Sequence, residues 1–358
     1  MVKKDKHGAN LFELSKKYNF NIEDIKDFSS NINPLGPSKK ALEKLSENLM
    51  LITTYPDPEY IDLKNSISKY VKANTDNIFL GSGTTQLFRE YIALVNPSNS
   101  LLLSPCYSEY ENELNKLQGN IHYYRLKEEN EFKINVSEII DYINEKSIEL
   151  FIFANPNNPT GTILSKDEIE TILKNTSTKI LVDETYVEFT DTNMYSSVKL
   201  TEKYKNLFAA RGVSKFFASP GIRLGYGITS DENIKEQFNK NSMLWNITIL
   251  SDIMGTAMFK DRKYQEEVYK YIKSQREYMI SELSKIKEIK VFKSEGNFVL
   301  CKILNDNTAE NLRNSLIKDA IVIRDCASFK GLSEKYFRFC ILDEEDNKKL
   351  IEKIKEYI

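Results

Sequence analysis

From about residue 78 onward, short apolar runs alternate with longer amphipathic stretches, and that alternation decides the fold class. Leu101–Leu103, Leu150–Ala154, Lys179–Val182, Asn206–Ala210 and Leu224–Ile228 read as strands. Helical periods separate many of them, as in KDEIETILKN at 166–175. The alternation argues for a mostly parallel sheet covered by helices on both faces, the α/β class. After about residue 255 the pattern changes to a long amphipathic helix at 263–286, the strands IKVFKS and NFVLCKI, and a charged helix at 344–358. That tail reads as a smaller α+β domain. Ahead of the alternation come a short helix at 10–19, a loop SSNINPLGPS at 29–38 rich in turn formers, and a helix opened by Pro37-Ser38. A length of 358 residues suits two such units at about 150 residues each. The expected division is an N-terminal arm with part of the small domain at 1–45, a large domain at 46–254 and a C-terminal small domain at 255–358.

Scarcity excludes several chemistries. His7 and His122 are the two histidines, and neither lies in a motif suited to a Ser-His-Asp hydrolase or a zinc site. No metal is expected. Cys106, Cys301, Cys326 and Cys340 stand far apart with no C-x-x-C pair, as free thiols in a reducing compartment would. Fifty Lys and Arg against 52 Asp and Glu leave a net charge of -2, so no global basic field calls for nucleic acid. No stretch reaches about 18 consecutive apolar residues, and the basic N-terminus lacks a secretory h-region. The expected location is the cytoplasm, with no membrane partner.

Ligands of open α/β sheets bind at the carboxyl ends of the strands, and four such ends carry unusual residues. In FLGSGTTQLFREY (79–91), a strand runs into Gly81-Ser82-Gly83-Thr84-Thr85 and then a helix. Such a turn can cradle a phosphate on free backbone N–H groups, although a plain βα turn has the same form. The dinucleotide pattern G-x-G-x-x-G is absent, which argues against a Rossmann dehydrogenase. In ANPNNPTG (154–161), Asn158 can hold a ligand oxygen or simply shape the loop. Asp183 ends an apolar strand with Tyr186 three residues on. A buried carboxylate needs a cationic partner, either a structural Arg or Lys or a protonated ring nitrogen. Finally, ARGVSKFFASPGIRLGYGI (210–228) sets Ser214-Lys215 in apolar surroundings ahead of Arg223. Desolvation lowers a lysine's pKa, and such a lysine can form a Schiff base with an aldehyde.

Taken in order, the glycine turn, Tyr107, Asn158-Pro159-Thr160-Gly161, Asp183 with Tyr186, and Ser214-Lys215 with Arg223 resemble the pyridoxal-phosphate enzymes of the aspartate-aminotransferase fold, class I and II. The resemblance covers nearly the whole chain and is closest to histidinol-phosphate aminotransferases and threonine-phosphate decarboxylases. It implies a large domain that binds pyridoxal 5′-phosphate, a small domain and a homodimer with shared sites. Lys215 would carry the cofactor and shuttle a proton, and Asp183 would pair with the ring nitrogen. Asn158 and Tyr186 would bond the ring's phenolic oxygen, and Tyr107 would stack on its face. Gly83, Thr84, Thr85, Ser214 and Arg223 would hold the phosphate, joined by Tyr55 from the neighbouring subunit. Asn33 would form a lip over the site, and Arg324, Arg338 and His7 would contact an anionic substrate.

The N-terminal stretch KHGANLFELSKKYNFNIEDIKDFSSNINPLGPS and IRDCASFKGL are very like the decarboxylases. Thr84-Thr85-Gln86 in place of an acidic residue, Tyr186 in place of Phe, Thr248 in place of Asn, and Gly212 in place of Ser or Thr depart from that pattern. The expected activity is therefore an aminotransferase for a small phosphate- or phosphonate-bearing amine, of the histidinol phosphate or 2-aminoethylphosphonate type. The alternative is an L-threonine-O-3-phosphate decarboxylase of cobamide biosynthesis, and a non-catalytic regulatory module is the third reading.

Overall fold

The computed structural model describes residues 8–241 and 243–358. A seven-stranded sheet is built from β1 (Ile78–Gly81), β2 (Asn99–Ser104), β3 (Asn120–Arg125), β4 (Leu150–Ala154), β5 (Lys179–Asp183), β6 (Leu207–Gly212) and β7 (Gly225–Ile228). Its spatial order is β1-β7-β6-β5-β4-β2-β3. The pairs from β6 through β3 are parallel, and β7 runs antiparallel to both of its neighbours. The central strands β4 and β6 are buried at every residue. Helices cover both faces, so these strands read as continuous apolar runs instead of alternating ones. The edge strand β3 is half-exposed and mixes His122 and Arg125 with its apolar residues.

A four-stranded sheet comes next, of β8 (Ile289–Val291), β9 (Phe298–Ile303), β10 (Arg324–Asp325) and β11 (Tyr336–Cys340), in the order β10-β11-β9-β8. The two strands expected after residue 286 are present, the first cut to three residues. Lys26–Asp27 pairs in parallel with Ile321–Val322, which fastens the start of the chain to its C-terminal part. Leu14, Ile25, Ile317 and Val322 close a small apolar cluster over that junction.

Among the helices are α1 (Ile61–Val71), α2 (Thr84–Val95), α3 (Ser108–Leu114) and the long α4 (Arg262–Leu283). Local chemistry sets helix ends. Ser165 and Glu168 form a reciprocal capping box, and the helix at 166–175 begins where the sequence places it. Asp261 caps α4 by accepting from Tyr264 N–H, one residue ahead of the expected start. One large core joins α4, the small sheet and one face of the large sheet.

Candidate active site

The carboxyl ends of β4, β5 and β6 open into a cavity of about 280 Å3. One end of it suits a phosphate. Thr84 and Thr85 line the cavity as the first two residues of α2, where backbone N–H groups have no intrahelical acceptor. Gly83 reaches this turn at φ +85°, and a Cβ there would run into the Arg223 guanidinium. Gly225 lies so close that a Cβ on it would stand 2.6 Å from the backbone of Gly83 and Thr84. Among the described residues Arg223 donates to carbonyls, Pro220 O at 3.2 Å and Ser82 O at 3.4 Å. A helix N-terminus, the Ser214 hydroxyl and an arginine bonded to neutral oxygens converge on one spot. That donor set fits a dianion.

The middle of the cavity suits a flat, cationic ring. Asp183 ends β5, nearly fully buried, and both of its oxygens accept hydrogen bonds. Tyr110 OH donates to Oδ2 at 2.6 Å, and the Thr185 N–H and hydroxyl donate to Oδ1 at 3.0 and 2.5 Å. Burial raises the Asp183 pKa while these donors pull it back. Tyr107 lines the cavity and meets Tyr110 edge-on, with ring centroids 5.5 Å apart. Lys215 Nζ donates to Ser30 O at 2.6 Å. Burial first, and then the charge of Arg338, lower its pKa to about 8. Tyr186 OH accepts from Asn31 Nδ2 at 3.1 Å, and burial raises its pKa against the pull of Arg338.

The far end holds two buried arginines. Arg338 donates to Asn158 Oδ1, and to Ser29 O at 2.7 Å. Both acceptors are neutral, and its Nε has no partner among the described residues. Arg324 donates to Ser328 Oγ at 3.0 Å, and its guanidinium lies over the Phe329 ring.

The cavity thus gathers Lys215, Asp183, Tyr186, Tyr107, Asn158, Thr84, Thr85, Ser214, Arg223, Arg324 and Arg338, with Gly83 immediately behind Arg223. Asn33 stands apart. Its amide donates to Phe216 O and Tyr264 OH, so it pins the loop to α4, and Asn31 lines the cavity in its place. Tyr55 is 71% exposed, stacked on Trp245 outside this chain's cavity. His7 lies outside the described residues. Sequence reasoning missed Tyr110 and Thr185, which fix Asp183. Both had a signal in their spacing: Tyr110 comes one helical turn after Tyr107, and a Thr two residues after an Asp can bond back to it.

The sequence profile described as aminotransferase class I and II matches residues 23–354. A protein of Caldanaerobacter subterraneus subsp. tengcongensis, provisionally named a threonine-phosphate decarboxylase, is 35% identical over 99% of this chain and 94% of its own. A histidinol-phosphate aminotransferase of Methanococcus aeolicus is 30% identical over 98% of this chain and 95% of its own. The crystal structure of the histidinol-phosphate aminotransferase from Clostridium acetobutylicum superposes with a TM-score of 0.87 at 36% identity, covering 93% of this chain and 98% of that one. The chain belongs to the aminotransferase class I and II family of pyridoxal-phosphate enzymes.

Proposed function

We propose that the chain is an aminotransferase for a small amine carrying a phosphate or phosphonate group, of the histidinol phosphate or 2-aminoethylphosphonate type. The observation that carries this reading is Arg338, a guanidinium 4% exposed whose hydrogen-bond partners among the described residues are neutral oxygens. A buried cation without a counter-charge is costly, so the cavity favours a ligand that brings an anion to it. Arg324 lines the same cavity, and an arginine fork suits a phosphoryl oxygen pair.

In this reading Thr84, Thr85, Ser214 and Arg223 hold the cofactor phosphate, Asp183 faces the ring nitrogen, and Asn158 and Tyr186 hold the ring's phenolic oxygen. When bound, pyridoxal phosphate supplies an aldehyde for the substrate amine and a ring that draws electrons from the amine-bearing carbon. The chain does the rest. Lys215, with a pKa of about 8, can hold or release a proton at Nζ close to neutrality. Asp183 would offer a negative charge to the ring nitrogen, held by the donors Tyr110 and Thr185. Arg324 and Arg338 fix the substrate's anionic end, and that orientation selects which bond breaks. Residues 46–254 act as the cofactor-binding domain, and residues 1–45 and 255–358 as the arm and small domain that close over it. Two chains form a homodimer in which Tyr55 reaches the partner's cofactor phosphate.

A second reading, decarboxylation of L-threonine O-3-phosphate, is favoured by one specific observation. Arg324 and Arg338 are cross-strand partners that line the same cavity, each with its own hydrogen-bond acceptors, and two arginines suit a substrate with two anionic ends, a carboxylate and a phosphate. In either case Arg338→Ala weakens substrate binding far more than cofactor binding, read from KM and from cofactor dissociation. Equal losses of both would make Arg338 structural and remove the support for an anionic substrate.

A further inference from the structure

A second cavity, of about 210 Å3, lies between the C-terminal end of α1, the segment 192–199 and the start of α4. Lys72, Lys199, Arg211 and Arg262 line it, and among the described residues no Asp or Glu does. Its floor is Arg211, in β6 next to Gly212 of the active-site cavity and only 3% exposed. This guanidinium is locked in place and its charge is compensated by two buried carboxylates, with Nε 2.9 Å from Glu184 Oε2, Nη1 3.4 Å from Glu188 Oε1 and Nη2 2.6 Å from Ser196 Oγ, so the excess positive charge of the cavity is that of Lys72, Lys199 and Arg262. Its wall is built as well: the Arg262 guanidinium lies over the Tyr70 ring, 5.4 Å from its centroid. Tyr70 also lines the cavity, and its hydroxyl has no hydrogen-bond partner among the described residues. Lys72, Lys199 and Arg262 likewise have no carboxylate at ion-pair distance among the described residues.

Like charges gathered around a concave site repel one another and concentrate counter-ions inside it. At about 210 Å3 the cavity is smaller than the active-site cavity of about 280 Å3, which suits a small occupant. We propose that it is a second anion site, taking free inorganic phosphate between Arg262, Lys72, Lys199 and the Tyr70 hydroxyl. The site is separate from the cofactor and substrate cavity and does not depend on which reaction the enzyme performs.

The test is equilibrium dialysis of radiolabelled inorganic phosphate against the cofactor-loaded enzyme at low ionic strength. Arg338→Ala, made together with Arg324→Ala because both guanidiniums line the active-site cavity, removes phosphate bound there and leaves the second class of sites visible. In that background, replacing both Lys72 and Lys199 by Glu is expected to weaken the remaining phosphate at least tenfold. Tyr70→Phe is expected to weaken it severalfold. A control with the same charge change on distant exposed lysines, Lys287→Glu with Lys318→Glu, is expected to bind as before. Unchanged binding in the Lys72 and Lys199 double variant would overturn the site, as would an equal loss in the control. Absence of any phosphate bound in the background lacking both arginines would overturn it too.

Discussion

At the scale of single residues, the chemistry rests on how burial tunes two groups. Lys215 is pushed down to about 8 from the usual lysine value of 10.5, because burial and Arg338 disfavour its charged form. Its amine is therefore largely neutral above pH 8. The rate at which cofactor-free protein takes up pyridoxal phosphate is expected to rise through pH 8 and level off by about pH 9. A rate still climbing tenfold per unit at pH 10 would contradict this. Asp183 needs the opposite help, since burial raises its pKa and Tyr110 and Thr185 hold its charge. Tyr110→Phe removes one charge-assisted bond, of order 1.5–3 kcal/mol. Cofactor dissociation is expected to quicken about tenfold and the absorbance–pH titration of the bound cofactor to shift, while the fold persists. An unshifted titration would make Tyr110 a packing residue only. Lys215 and Asp183 were legible in the sequence because each is a charged residue set in an apolar run, which is costly without a purpose. The choice between Asn31 and Asn33 was not. Asn31 adopts φ 57°, and a left-handed residue breaks the alternation by which side-chain direction is read from sequence.

At the scale of elements, the phosphate end is a problem of close approach. The turn from β1 into α2 must pass the start of β7, and Gly225 leaves the room. Gly225→Ala would press a methyl group into the backbone of Gly83 and Thr84, which cannot give as a flexible side chain could. Cofactor affinity is expected to fall at least tenfold, measured by spectroscopic titration of cofactor-free protein. Gly221, with nothing within 4 Å of an added Cβ, serves as the control and is expected to tolerate alanine. The glycine turn alone was a weak signal, since any βα turn favours glycine. Its meaning came from what the sheet brings beside it, Arg223 and Ser214 from the β6–β7 connection. The strands and most helices were legible because the central strands are buried on both faces and so appear as unbroken apolar runs. The parallel pairing of Lys26–Asp27 with Ile321–Val322 was not, because two residues carry no periodicity.

At the scale of the whole molecule, one surface is out of character for a chain with 28% charged residues. Met50, Ile52, Tyr55, Met243 and Leu244 are all more than 60% exposed, and the stacking of Tyr55 on Trp245 at 4.0 Å joins the two stretches. Apolar patches of this kind mark interaction surfaces, and a second copy of the chain is the proposed occupant. Light scattering on the purified protein is expected to give twice the chain mass. Met50→Lys combined with Ile52→Lys is expected to give single chains that lose cofactor faster, because the proposed contact of the partner subunit's Tyr55 with the phosphate is then lost. A double variant that stays dimeric would place the interface elsewhere. The central claim, amino transfer to an anion-bearing substrate class, is tested most directly by a single turnover without any keto-acid acceptor. Cofactor-loaded protein is mixed separately with histidinol phosphate, 2-aminoethylphosphonate and O-phosphothreonine, and the cofactor spectrum and released carbon dioxide are recorded. Stoichiometric conversion of the cofactor to pyridoxamine phosphate by one of the first two amines, with no carbon dioxide, is the predicted result. Carbon dioxide released from O-phosphothreonine with the aldehyde form of the cofactor regenerated would contradict it and assign the chain to decarboxylation.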